Sequence, residues 1–342
     1  MDTYLALSAR DRRDYCAAAA DRIGLDAPSI EKDFWVCWIL RELFALPAIG
    51  PHLTFKGGTS LSKGWKLIQR FSEDVDVVID RGILGFGGDH APQTAGISKK
   101  ERERRLEGLR AACQAHIRGV LLPALTAQLG KRLPPTVTWE LTVDPADPDG
   151  QTLLFNYAAA FEAGPYLRPV VKIELGARSD TEPSSYPEIR PYLAEAYPEK
   201  FMHAAFAPHT LSPERTFWEK AMLLHEETYR TGSDGPKARL ARHYYDLWCL
   251  IQAGVADQAR ANAKLFEQVA AHRAVFFRKR KEAHDSLRPG ALRLLPLAGL
   301  QAAWKQDYEA MRDAMFFAEP PSFDEILRVV REFQEKFNRP SR

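Results

Sequence analysis

The sequence predicts an α+β protein: a mixed β-sheet flanked by helices, followed by a mostly helical C-terminal domain. Three observations carry this reading. Short runs of strand composition crowd the first half: LTFK (53–56), VDVVI (75–79), TVTWELTV (136–143), LLFNYAAAF (153–161) and PVVKIEL (169–175), parted by Gly, Pro and Asp turns. After Ala177 the composition changes, and prolines and tyrosines dominate 183–198, as in a bridging segment. From Ser212 onward helix signals prevail, beginning with an N-cap serine, a first-turn proline and an acid in Ser212-Pro213-Glu214. The domains expected are 1–205, with an insertion at about 82–130, and 206–342.

In order, residues 10–46 read as two helices, the second running from a Ser29 N-cap to Phe44. LTFKGG is a strand entering a Gly-Gly turn, and TSLSKGWKLIQ (59–69) reads as a helix before the strand at 75–79. Residues 82–98 form a Gly-rich loop, and 99–129 one long helix. In the second half a Gly-rich break at 232–235 precedes a helix over about 237–253, and Ser322-Phe323-Asp324-Glu325 opens a last amphipathic helix.

With 342 residues and 45% hydrophobic content the chain can bury a sizeable core, and a net charge of +2 does not by itself mark a nucleic-acid binder. The four cysteines form no CxxC pair, which reads as reduced structural thiols. The N-terminus lacks a basic segment followed by an apolar stretch, and the apolar run Phe34–Leu40 is too short to span a bilayer. The expectation is a soluble, cytoplasmic protein without a membrane partner.

The sharpest feature is Phe55-Lys56-Gly57-Gly58-Thr59-Ser60 followed by Arg70-Phe71-Ser72-Glu73-Asp74-Val75-Asp76. On a strand, residues two apart share a face, so Asp74 and Asp76 project together while Val75 and Val77 face the core. Paired carboxylates repel unless a cation sits between them, and Mg²⁺ favours one or two carboxylates plus phosphate oxygens. A Gly-Gly turn ahead of a helix allows close approach of phosphate to backbone. GGTSLSKG lacks the GK[ST] ending of a P-loop, so that motif is rejected.

These residues resemble the AbiEii/AbiGii toxin family of the nucleotidyltransferase superfamily. Further matches are VVKIELG (170–176), ERTFWEKAMLLH (214–225) and ARHYYDLW (241–248). The resemblance runs from about Lys32 to Leu250; the 82–130 insertion and the chain after Leu250 carry none of it. It implies a nucleotidyltransferase fold, with Asp74 and Asp76 as catalytic metal ligands. Gly57, Gly58, Thr59, Ser60 and Ser72 would line the nucleotide, and Lys63 is a further phosphate candidate.

Alternation in VVKIEL puts Lys172 and Glu174 on one face, so Glu174 could be a third metal ligand and Lys172 a phosphate contact; a plain Lys–Glu pair on a wet face is the other possibility. Lys220 sits in an apolar helical stripe, where a lysine either snorkels out or meets an anion. The family has a phosphate-binding lysine there. Arg242 and Asp246 are i,i+4, which suits a simple intrahelical salt bridge, whereas the family places both in a required motif, Asp246 acting near the lysine. His225 and His243 read as structural, and the aromatic-rich helices as core. The basic runs Lys99–Arg105 and Arg273–Lys281 are solvated faces or grips for RNA.

The function implied is Mg²⁺-dependent transfer of a nucleotide from an NTP to an acceptor, tRNA by resemblance, with one or two metals. The chain would be the toxin of a toxin–antitoxin or abortive-infection pair, with a cognate antitoxin as partner. Alternatives are a transferase acting on a protein, or a nucleotide-binding or interaction module without chemistry.

Overall fold

The computed structural model describes residues 1–161, 168–230, 235–277, 281–316 and 319–339. The chain divides into two compact units, Met1–Gly64 with Phe71–Leu211, and Trp65–Arg70 with Ser212–Arg342.

The first unit is built on a seven-stranded mixed sheet of order β3-β4-β5-β2-β1-β7-β6. Its strands are β1 (Leu53–Lys56), β2 (Val75–Ile79), β3 (Trp139–Val143), β4 (Thr152–Tyr157), β5 (Val170–Gly176), β6 (Ser184–Ser185) and β7 (Thr210–Leu211). β2 runs antiparallel to β1 and parallel to β5. The other pairs are antiparallel except β1–β7. Two-residue strands such as β6 and β7 are too short to leave a periodic signal, which is why the sequence does not announce them.

Helix α1 (Ala9–Ile23) precedes α2 (Ala27–Phe44). α2 starts ahead of the expected Ser29, because the Asp26 carboxylate accepts the Ser29 N–H at 2.9 Å and caps the helix from further upstream. Nearly every α2 residue from Ile30 to Leu43 is buried, so this is a core helix rather than an amphipathic one. Trp35 stacks on Tyr157 with centroids 4.9 Å apart, and Trp38 meets Phe155 at 6.0 Å. Fully buried aromatics of this size cost about 3–5 kcal/mol when truncated to alanine, so α2 anchors the sheet.

Two expected helices are altered by local chemistry. Residues 59–69 are not one helix: a turn at Gly57–Thr59 widens into a π turn at Ser60–Gly64, and Lys66 adopts a left-handed φ of 54° that turns the chain away. The long helix beginning at Lys99 is α3 (Lys99–His116), a π turn over Ile117–Leu121 and α4 (Leu122–Arg132). Pro123 lacks the N–H that a regular turn requires, and the wide turn absorbs the lost bond. A short α5 (Tyr192–Ala196) lies in the Pro- and Tyr-rich segment.

The second unit contains α6 (Pro213–Glu227), α7 (Arg242–Gln252), α8 (Val255–Ala261), α9 (Ala263–Phe276), α10 (Gln301–Glu309) and α11 (Phe323–Asn338). Ser212 and Ser322 cap α6 and α11, accepting N–H bonds from Arg215 and Glu325. α7 begins at Arg242 rather than 237, since Arg239 takes a left-handed φ of 64° just ahead of it. Trp218 packs among Phe266, Phe333 and Phe337, and Tyr244 against Trp304 and Phe323. Of the expected Gly-rich break only Gly235 is described, and residues 278–280 of the 273–281 basic run lie outside the described residues. All four cysteines are free and buried. Among the described residues no helix is long and apolar enough to cross a membrane.

Candidate active site

In the first unit the site follows from the register of three strands. Val75 and Val77 are buried, which turns Asp74, just ahead of β2, and Asp76 to the opposite face, both half-buried. The β1–β2 register sets Lys56 opposite Asp76, and the β2–β5 register sets Glu174 opposite it on the other side. Three carboxyl groups therefore share one face of the central strands. Burial pushes the Asp76 carboxyl up to about 7, repulsion from Glu174 and Asp74 adds to the shift, and the Lys56 ammonium pulls it back.

Gly57 completes this arrangement. Its φ of 81° is left-handed, and a Cβ there would lie 2.0 Å from Asp76 Oδ2 and 2.9 Å from Asp76 Cβ. Only glycine leaves the Asp76 carboxylate its place against the turn. Thr59, fully buried, donates to Asp74 O at 2.5 Å and Ser72 Oγ at 2.9 Å. Ser60 Oγ donates to Gly57 O at 2.9 Å. Thr59 thus laces the turn to the segment bearing the acids, and Ser60 closes the turn on itself, uses the motif alone does not reveal.

Lys63 is not brought to the acids' face by a bond of its own. Its ammonium pairs with Asp33 Oδ1 at 2.8 Å and lies 3.4 Å over the Tyr192 ring, with both charges about 5% exposed. Asp33 Oδ2 in turn accepts the Tyr192 N–H at 2.6 Å, so this buried pair ties the turn to α2 and α5. Lys172 pairs with Glu174 at 2.6 Å, both side chains about two-fifths exposed. Lys32, buried on α2, pairs with Glu73 at 3.1 Å beside the acid pair.

The acids fit a hard divalent cation by donor type: all are oxygen ligands, and Mg²⁺ asks the protein for only one or two carboxylates. Asp74 and Asp76 could supply these. Among the described residues, no three His, Cys, Asp or Glu side chains are gathered closely enough to hold a metal as they stand. Glu174, paired with Lys172 through Oε1, keeps its second carboxylate oxygen as a further possible donor.

The second unit carries a separate charged cluster. Asp246 on α7 is fully buried, and Arg70 grips it with a fork, Nε to Oδ1 at 2.7 Å and Nη2 to Oδ2 at 2.8 Å. Lys220 on α6 bonds the same Oδ2 at 2.8 Å and faces His243 Nδ1 at 3.4 Å. The intrahelical Arg242–Asp246 pair suggested by spacing does not form among the described residues, because the two longer-range cations occupy the carboxylate. Although burial alone would raise it, Arg70 and Lys220 hold the Asp246 carboxyl well below the usual carboxylate range. Burial lowers the Lys220 ammonium, Asp246 offsets part of this, and Arg70 and Arg242 add to the lowering. Burial, followed by Lys220 and Arg242, drives His243 far below its ordinary value, so its ring is neutral and its Nδ1 can accept from Lys220.

A family model described as "Nucleotidyl transferase AbiEii toxin, Type IV TA system" matches residues 38–329. This chain belongs to the AbiEii family. The match takes in both the 82–130 insertion and most of the chain after Leu250, which had shown no resemblance by motif. AbiEii membership makes the protein a nucleotidyltransferase, with an NTP as substrate and an antitoxin as partner. Among solved structures, MenT4, a nucleotidyltransferase toxin from Mycobacterium tuberculosis H37Rv, aligns at 15% identity over 98% of this chain and 99% of that one, with a TM-score of 0.38. JHP933 from Helicobacter pylori aligns at 12% identity over 88% of this chain and 98% of that one, with a TM-score of 0.34. No match was found among curated protein sequences.

The partners of Lys56 in the first unit and of Arg70 and His243 in the second escape motif reading. Lys56 stands next to the Gly-Gly turn and faces Asp76 only through the β1–β2 register. Arg70 opens the RFSEDVD run, but its partner lies far along the chain.

Proposed function

We propose that this AbiEii enzyme transfers a nucleotide from an NTP to an RNA acceptor, tRNA, in a Mg²⁺-dependent reaction, and that it acts in the cytoplasm, where NTPs and tRNA are found. The reading rests on one observation above all: the β1–β2–β5 register that assembles Asp74, Asp76 and Glu174 on one face with Lys56 and Lys172 beside them. Mg²⁺ held by Asp74 and Asp76 would neutralise phosphate charge and lower the pKa of the attacking hydroxyl.

The remaining roles belong to the chain itself. Gly57 gives Asp76 room, while Thr59 and Ser72 fix the backbone of Asp74. The Gly57–Ser60 turn, with Lys172 and Lys56, faces the polyphosphate. Within the second unit, taken by itself, Lys220 is the candidate anion contact: among the described residues its partners are Asp246 and His243, which leaves a third ammonium donor. Asp246 serves to hold that lysine. Two cations saturate it and its pKa is depressed, so it is a poor proton acceptor. Arg242 adds positive charge near Lys220. Transfer is then largely a matter of positioning and charge neutralisation.

The test is incubation with each α-³²P-labelled NTP, Mg²⁺ and total tRNA, beside the Asp74→Ala/Asp76→Ala double variant. Label in tRNA that requires the intact acids and Mg²⁺ is the expected result. Label on protein alone, or none with any NTP, would overturn the tRNA reading.

A further inference from the structure

Arg70 is one of the least exposed charged residues of the second unit, at 2%, and both oxygens of its partner Asp246 receive its fork. The carboxylate is thereby fixed in plane and orientation, and one oxygen, Oδ2, is shared with Lys220. Arg70 and Lys220 thus converge on the one Asp246 carboxylate, with a neutral His243 beside Lys220. We infer that Arg70 is a positioning residue for the nucleotide: by holding both oxygens of Asp246 it keeps the carboxylate from closing fully on Lys220 and leaves that ammonium available to an anionic phosphate. This rests on the reading of Lys220 as a phosphate contact.

The chemistry explains why arginine stands here. A guanidinium binds a carboxylate through two parallel bonds in a set plane, whereas an ammonium is a point charge that cannot fix its orientation. Without the fork, Asp246 would be free to close on Lys220 with both oxygens. The backbone of Arg70 is itself anchored, in an antiparallel bridge to Phe316, so the fork approaches from a fixed base.

The experiment is equilibrium binding of α-³²P-labelled NTP with Mg²⁺ to the full chain, reporting Kd and the number of sites separately. The proteins are wild type, Lys220→Ala, Arg70→Gln, Arg70→Lys, Asp246→Asn and Arg70→Gln/Asp246→Asn, each checked by circular dichroism. Arg70→Gln is expected to raise Kd about tenfold with the site number unchanged, and Arg70→Lys, which keeps charge but not the fork, about threefold. A defect confined to folding would lower the number of sites and leave Kd alone. Because Arg70 acts through Asp246, adding Arg70→Gln to Asp246→Asn should change Kd by less than about twofold. Additive losses would overturn the inference, as would wild-type Kd in Arg70→Gln. If Arg70→Gln does not fold, wild-type Kd in Arg70→Lys would do so too. Wild-type Kd in Lys220→Ala would instead remove the phosphate role of Lys220 itself, and the inference with it.

Discussion

Replacing Gly57 by alanine should separate the shape of the site from its chemistry. The new methyl carbon would fall 2.0 Å from Asp76 Oδ2, 2.7 Å from Cγ and 2.9 Å from Cβ. Contacts this short cannot be relieved at the carboxylate tip alone, since Asp76 Cβ is fixed to a strand with neighbours on both sides. The carboxylate must rotate away, at about 0.5–1.5 kcal/mol for leaving its rotamer, and the left-handed φ adds about 1–2 kcal/mol for a residue with a Cβ. Stability should therefore fall by about 1.5–3.5 kcal/mol. Displacing a metal-binding oxygen by about an ångström should cost transfer activity about 10²-fold. The assay is nucleotide transfer at saturating Mg²⁺, with denaturant unfolding alongside. A Gly57→Ala protein that folds and transfers within about twofold of wild type would refute the reasoning, because the displacement required is far larger than such a tolerance.

Four further predictions concern charge. With the Asp76 carboxyl near 7, Mg²⁺ must displace a proton below that pH, so affinity measured by calorimetry should rise about tenfold from pH 6 to pH 8. In metal-free protein the same raised pKa makes stability fall as pH climbs from about 4 to 7, because the unfolded chain releases that proton first; chemical denaturation across that range should show a negative slope. Asp246→Asn should destabilise the protein by about 3–5 kcal/mol, since it strands two buried cations, and urea titration would register it. Lys63→Gln should lower stability by a similar few kcal/mol, of order 3, through the orphaned Asp33, while leaving the KM for NTP of the folded fraction near wild type.

What the sequence discloses depends on how far apart the interacting residues lie. The shared face of Asp74 and Asp76 is local, a matter of alternation at the entry to β2, and is legible from residues 74–77. So are the serine caps at Ser212 and Ser322, where a side chain reaches three residues on. The placement of Glu174 beside Asp76 is half legible: alternation gives its face, but the β2–β5 register is settled by packing along the whole sheet. Lys63 shows the opposite. Beside a Gly-Gly turn it reads as a phosphate ligand, yet Asp33 on α2 captures it, a competition local spacing cannot reveal. For Asp246, spacing favours Arg242, but the distant Arg70 offers two bonds within a dry interior and prevails. The helix expected over 59–69 fails for a backbone reason, the left-handed Lys66, that composition does not encode.

The central position of β2 has a consequence for how the first unit comes apart. Strands β3 and β6 form the margins of the sheet, while β2 has partners along both edges. Amide protons of the marginal strands should exchange with solvent through small local openings, whereas those of Val75–Ile79 can exchange only when the sheet as a whole is lost. The carboxylate-bearing strand is thus the last part to be surrendered on heating or in denaturant, and cation binding at Asp74 and Asp76 should slow the exchange of the entire sheet rather than of its own neighbourhood.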